Sequence, residues 1–420
     1  MKTNALTASL SKKLKSGSPF RSRRLSYMEY YHASVGSYRH SVDVPRENTV
    51  ILEGTGNISC ERLQTAVNAA AEVNPGAHLK LLGNSVTARW STQGQVPRVR
   101  EVHSNWNGRS SKGSGFIYDT PLELRKGVSC EFIIARNETL GKTFIIFRNL
   151  HAVMDGMGCL HFLREVFRAL NGQPLHGSNA HFADTDLIRA VKGERNTFAD
   201  HNAACALITG PAQGEEIGDA WERISLEGPV PWLVTRMAGI IANHATGTSD
   251  RVTRIGIPIN LRRHLPDIVS SMNYTSVVHI DLKPGEGFSQ FQKRLHKLLK
   301  KNIDASYSTA LSIARAIPLG TVDKIVHRHK DNFNVDRKKS TAILSDLGMH
   351  NAADFCCPDF TAEEMFAIPI AGVTFSIQSA LDNKVNITLG MPKVYASNGR
   401  LTELVTLIHR KLLPEDSPED

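Results

Sequence analysis

His151, Asp155 and Gly156 lie in a short run whose residue types and spacing suit acid–base chemistry. Histidine is the side chain that exchanges a proton near neutral pH, so an oriented and partly desolvated imidazole can serve as a general base. The run Asn149-Leu150-His151-Ala152-Val153-Met154-Asp155-Gly156 follows an almost continuous apolar stretch, 143–150, and precedes a segment of helical periodicity, 159–170. This order puts His151 at a strand end, at the edge of the core and within reach of a cleft. Asp155 and Gly156 suit a tight turn, in which the carboxylate anchors backbone and the glycine admits close approach. The competing reading is a satisfied core histidine beside an ordinary loop.

The elements that must position this run are legible as patterns. A short strand is expected at 49–52. A helix is expected at 61–74, with Leu63, Val67, Ala70 and Val73 on one face and Asn74-Pro75-Gly76 as its stop. Further strands are expected at 78–82, 130–135 and 143–150, the last apolar enough to be covered on both faces. Leu160, Leu163, Phe167 and Leu170 recur at helical spacing, and Asn171-Gly172 ends that helix. Between 172 and 231 the periodicity weakens and Gly, Asn, Asp and His accumulate, which marks a connection between halves. The second half repeats the vocabulary: helix 232–245, strands 252–260 and 275–282, helix 288–302, strands 341–344, 371–378 and 385–389, and helix 401–413. The basic, Ser-rich opening up to Arg24 reads as flexible, and the acidic tail 414–420 as solvated. The fold class expected is α/β with mixed sheets, in two halves, 1–190 and 191–420.

Bulk properties restrict the function classes. A chain of 420 residues exceeds what one core usually organises, and 41% apolar with 22% charged residues excludes a largely disordered protein. Cys60, Cys130, Cys159, Cys205, Cys356 and Cys357 are scattered among apolar neighbours, with neither a disulfide framework nor a zinc spacing, which fits a reducing cytoplasm. No apolar stretch follows the basic N-terminus as a signal peptide requires, and no window is apolar enough to span a bilayer. The formal charge of +9 is compatible with nucleic acid, an anionic membrane surface or phosphorylated small partners. The basic clusters at 21–24, 293–301 and 328–339 hold a single aromatic residue, Phe333, and no reading motif, which disfavours nucleic acid.

The run 151–156 resembles the HxxxDG motif of the superfamily that contains chloramphenicol acetyltransferase, nonribosomal-peptide condensation domains, plant-type acyltransferases and polyketide-associated acyltransferases. His151, Asp155 and Gly156 match it position for position, while Leu150 stands where condensation domains usually carry a first histidine. The resemblance extends to Leu25-Ser26-Tyr27-Met28-Glu29, to Gly54 with Leu63-Gln64-Thr65-Ala66-Val67 and Asn74-Pro75, and to Ile257-Pro258-Ile259-Asn260-Leu261-Arg262-Arg263. The last resembles the family strand whose arginine pairs with the motif aspartate, and Asn273 falls where a Gly-Asn pair usually follows, with Met272 in place of the glycine.

What the resemblance implies is specific. Two chloramphenicol-acetyltransferase-like domains are expected to form a V around a central channel, with His151 as general base at its middle. Acyl transfer is expected from a thioester of coenzyme A or a phosphopantetheine carrier protein to a small-molecule alcohol or amine. No permanently bound cofactor or metal is implied, and one chain can hold a complete site. Asp155 needs a buried partner, for which Arg262 is the candidate and Arg254 and Arg263 are its rivals. Ser345-Asp346-Leu347-Gly348 resembles two family variants without completing either, so Ser345 is read both as an oxyanion donor and as a strand-terminating serine, and Asn273 stands beside it as a candidate oxyanion or channel residue.

Other candidates carry less. Gly54-Thr55-Gly56 lacks the third glycine of a dinucleotide site and reads as a turn. His327 and His329 stand among Arg328, Lys330, Arg337, Lys338 and Lys339, which would repel a cation. Cys356-Cys357 has no histidine partner in sequence and reads as inert thiol. Two other classes remain open: a catalytically silent docking module of the same fold, and a nucleic-acid or membrane-surface binder.

Overall fold

The computed structural model describes residues 5–15, 20–37, 46–180, 182–195, 203–246, 251–283, 285–306, 313–331 and 340–413. Within them the strands are β1 (Ser22–Arg24), β2 (Glu47–Gly56), β3 (Lys80–Leu82), β4 (Arg89–Ser91), β5 (Arg98–His103), β6 (Cys130–Asn137), β7 (Lys142–Leu150), β8 (Asp219–Glu227), β9 (Arg254–Asn260), β10 (Thr275–Asp281), β11 (Ala342–His350), β12 (Phe360–Ile368), β13 (Phe375–Leu381) and β14 (Lys384–Pro392). The helices are α1 (Ala5–Lys15), α2 (Tyr27–Ser37), α3 (Cys60–Val73), α4 (Gly156–Leu170), α5 (Asp184–Val191), α6 (Leu233–Thr246), α7 (Phe288–Lys300), α8 (Leu319–Asp331), the single turn α9 (Lys393–Ala396) and α10 (Arg400–Leu412).

The strands build a small sheet β1-β4-β3, a five-stranded sheet β12-β2-β7-β6-β5 and a six-stranded sheet β10-β9-β11-β13-β14-β8. Both larger sheets mix directions: β5 runs parallel to β6, and β11 parallel to β9 and β13, while the other pairs are antiparallel. The mixed α/β architecture expected from the sequence is therefore present.

The continuous apolar run of β7 has its reason in two covered faces. Phe147 stacks with Phe132 at 4.7 Å and meets Phe162 of α4 at 5.4 Å between ring centres. The opposite face sends Phe144 and Ile146 into a second core with Trp106, Trp221 and Phe366. Trp221 belongs to β8, so this core joins the two larger sheets. On α4 the apolar stripe Leu160, Leu163, Val166 and Phe167 is fully buried, and each of these side chains contributes roughly 1.5–3 kcal/mol of burial.

Several elements differ from the sequence expectation. The opening is not flexible throughout, because α1 buries Leu10 and Leu14, and β1 pairs with β4. The supposed connection 172–231 contains α5 and β8. β12 is absent from the sequence reading, since Glu363 and Glu364 interrupt its apolar pattern, yet it pairs with β2 from Phe360↔Gly56 to Ile368↔Thr49. A strand from the second half thus completes the sheet of the first. β11 continues past 344 to His350, so Ser345 is interior to the strand. The side chains of His327 and His329, the segment 332–339 and the tail 414–420 lie outside the described residues.

Candidate functional site

His151 is the first residue after β7, in the turn that leads into α4. Its backbone is held on both sides: its amide donates to the Arg46 carbonyl at 3.0 Å, and its carbonyl accepts from Asn273 Nδ2 at 2.8 Å. Its ring nitrogen Nδ1 lies 3.1 Å from the Met154 carbonyl. Asn48 Nδ2 donates to the same carbonyl at 2.7 Å and stands 3.3 Å from Nδ1. Because a carbonyl can only accept, this contact assigns the proton to Nδ1, with two donors converging on Met154. Nε2 then carries the free lone pair.

The electrostatics keep that lone pair available. Burial, and secondarily the positive charge of Arg46, push the His151 pKa below its ordinary value, against the opposing pull of Met154 and Asp155. The imidazole is neutral at neutral pH, the state in which it accepts a proton.

Asp155 caps α4, its Oδ1 accepting from the Gly158 amide at 2.6 Å. Its Oδ2 accepts from Arg262 Nη1 at 2.9 Å, from the Tyr274 amide at 2.6 Å and from Thr275 Oγ1 at 3.0 Å. Burial would raise this carboxyl, but Arg262 and the surrounding donors outweigh it and hold the pKa below the usual range. Both oxygens are engaged by donors other than His151, so the pair does not form a His–Asp relay of the triad type.

Both terminal nitrogens of Arg262 are used. Nη2 donates to the Ser270 carbonyl at 3.0 Å and to the Met272 carbonyl at 2.7 Å, and its amide is capped by Asn260 Oδ1. Its rivals are engaged elsewhere: Arg254 holds Asp281 through Nε at 2.5 Å and Nη2 at 3.0 Å, and Arg263 faces Asp304 at 3.3 Å. Asn273 meets the His151 turn directly, through the carbonyl bond given above. Ser345 is half-buried and pairs in register with Ile377, two residues before Leu347. A Cβ on Gly156 would come 2.6 Å from Leu347 Cδ2, so β11 passes the start of α4.

The close backbone approach expected at Gly156 occurs at Gly158 instead. A Cβ there would stand 2.3 Å from the Ser271 carbonyl oxygen and 3.0 Å from that of Met272. Sequence reasoning also missed Asn48, Arg46 and His32. The His32 ring lies 4.0 Å from that of His151, centre to centre, at an interplanar angle of 32°. One signal was available for the helix that carries it: Ser26-x-x-Glu29 is a capping box. In the structure Glu29 accepts from the Ser26 amide at 2.7 Å and from both Arg23 Nη atoms, at 2.7 and 2.5 Å, and the Glu29 amide donates to Ser26 Oγ. Among the described residues no cluster of His, Cys, Asp and Glu could hold a metal ion, and no helix is long and apolar enough to cross a membrane.

No protein-family model and no curated protein matches the chain. Solved structures do. The condensation domain of the Monacolin K polyketide synthase MokA superposes with a TM-score of 0.61 at 11% identity, over 93% of this chain and 96% of that one. Polyketide synthase associated protein 5 from Mycobacterium tuberculosis gives 0.59 at 11% identity, over 94% and 97%. A mutant starter condensation domain of rhizomide synthetase RzmA, solved with C8-CoA and Leu-SNAC, gives 0.60 at 10% identity, over 96% and 95%. The epimerization domain of tyrocidine synthetase TycB3 shares the architecture as well, at 0.58 and 11%. The chain therefore has the condensation-domain fold over nearly its whole length.

Proposed function

We propose that this chain of condensation-domain fold is an acyltransferase, moving an acyl group from a thioester of coenzyme A or a carrier protein to a hydroxyl or amine of a small molecule. The observation that carries the reading is the contact of His151 Nδ1 with the Met154 carbonyl, which leaves Nε2 of a neutral imidazole as the base. The architecture shared with the RzmA domain bound to C8-CoA supports a thioester donor.

In the proposed reaction Nε2 takes the proton of the acceptor's O–H or N–H as that oxygen or nitrogen attacks the thioester carbonyl. Collapse of the tetrahedral adduct breaks the C–S bond, and the proton passes from Nε2 to the departing thiolate. An ester or amide and a free thiol result, with no covalent enzyme intermediate. Asp155, Gly156 and Arg262 hold the turn. Asn273, whose amide nitrogen is spent on the His151 carbonyl, is assigned a positioning role, and Ser345 is the candidate donor to the oxyanion. The halves 1–190 and 191–420 are assigned to the two sides of the cleft. One chain is proposed to hold a complete site.

The test pairs the protein and His151→Ala with acyl-coenzyme A and acyl-carrier thioesters plus a metabolite extract, following thiol release and acylated masses. Thiol release that depends on His151, with a new product mass, supports acyl transfer. Because the TycB3 domain has the same fold, the assay also follows deuterium exchange at the α-carbon of aminoacyl thioesters. Exchange without thiol release identifies an epimerase, and neither activity across a broad survey identifies a docking module.

A further inference from the structure

Resting on the reading of His151 as the base, we infer that His32 of α2 is a positioning residue of the transfer: its ring is the platform that fixes the plane of the His151 ring and supports it when it takes up the acceptor's proton. The two rings lie 4.0 Å apart between centres, tilted by 32° to each other, in direct contact. Leu150 occupies the position before His151, so a second imidazole enters the site from a different element. His32 Nδ1 is buried and has no hydrogen-bond partner among the described residues. A buried donor or acceptor left unpartnered is costly, so this nitrogen does not anchor the side chain, and what His32 offers the site is the face of its ring.

The neighbourhood holds that face in place. Ser26, Glu29 and Arg23 lock the start of α2, which sets where His32 falls. Tyr31 adjoins His32 at 5.5 Å and lies under the Arg46 guanidinium at 5.5 Å, and Arg46 carries the carbonyl that accepts from the His151 amide. Burial, then the facing His151 and Arg46, push His32 well below the ordinary histidine range. Two touching imidazoles cannot both be charged cheaply, so the proton that arrives on His151 finds a neutral aromatic face beneath it. A cation over such a face is attracted to it.

The experiment compares His32→Ala and His32→Phe with the unaltered protein. The readouts are kcat and KM for thiol release and the 15N signals of the His151 ring, which report its tautomer without requiring turnover. His32→Ala is expected to lower kcat about 10–100-fold with KM within about threefold, and to replace the single Nδ1–H tautomer by a mixture. His32→Phe, which keeps a ring of similar thickness, is expected to restore both within about threefold. An unchanged tautomer and kcat within about twofold in His32→Ala would overturn the inference, as would a folded His32→Phe as impaired as His32→Ala. Should the unaltered protein release no thiol, acyl transfer fails as a reading, while the tautomer comparison still decides whether His32 positions His151.

Discussion

Asn273 donates its side-chain amide to the His151 carbonyl at 2.8 Å, and the next residue, Tyr274, donates its backbone amide to Asp155 at 2.6 Å. Two consecutive residues ahead of β10 therefore grip both ends of the turn that carries His151. Replacing Asn273 by Ala leaves that carbonyl without its donor, at a cost of about 1–3 kcal/mol, and frees the turn to shift. We expect kcat to fall by about 10–100-fold while the fold persists, checked by turnover and thermal unfolding of Asn273→Ala. Full activity in a folded variant would show that the turn is held by other means.

The buried pair of Asp155 and Arg262 makes a sharper case. Removing one partner leaves an uncompensated buried charge, which costs about 3–5 kcal/mol. Arg262→Met and Asp155→Asn should each destabilise strongly in urea unfolding, and the double variant should lose less than the sum of the two. Additive losses would mean that the two side chains do not stabilise each other.

Acidification tests the neutral imidazole. Burial holds the His151 pKa below the ordinary value of about 6.5, so kcat/KM should be level at neutral pH and fall through a midpoint below that value. The stability consequence has the same direction. Between the folded and unfolded pKa values the unfolded chain binds more protons at this site, so the site's contribution to stability declines as pH drops through that window. An activity midpoint above 6.5 would contradict the environment described for His151.

Gly156 and Gly158 should respond differently to alanine. At Gly158 the new methyl meets the Ser271 and Met272 carbonyls, which cannot move without displacing Asn273, and a loss of about 1–3 kcal/mol together with activity is expected. At Gly156 it meets the end of the Leu347 side chain, which can rotate. Parallel measurements of unfolding midpoint and turnover should therefore rank Gly158→Ala as the more damaging change.

Much of the site is readable from the chain alone, because its local parts are neighbours in sequence. The apolar run of β7, the cap residue Asp155 and the periodicity of α4 place His151 at a strand end without any knowledge of distant contacts. Likeness to a known motif extended this to Arg262 and Asn273, which contact the turn from 107 and 122 positions further along the chain. Asn48, Arg46 and His32 had no such signal: an asparagine, an arginine and a histidine acquire their roles only from what folding brings beside them. Asn48 reaches Met154 across 106 residues of chain, and Asn273 reaches His151 across 122. The crossing of β12 into the first sheet was equally invisible, since strand pairing depends on edges and register that no single segment encodes. Sequence by itself thus determined that His151 stands at a strand end and the local turn that carries it. Only the tertiary structure decided how that imidazole is oriented, which nitrogen is free and which ring lies against it, because those properties arise from contacts between segments far apart in the chain.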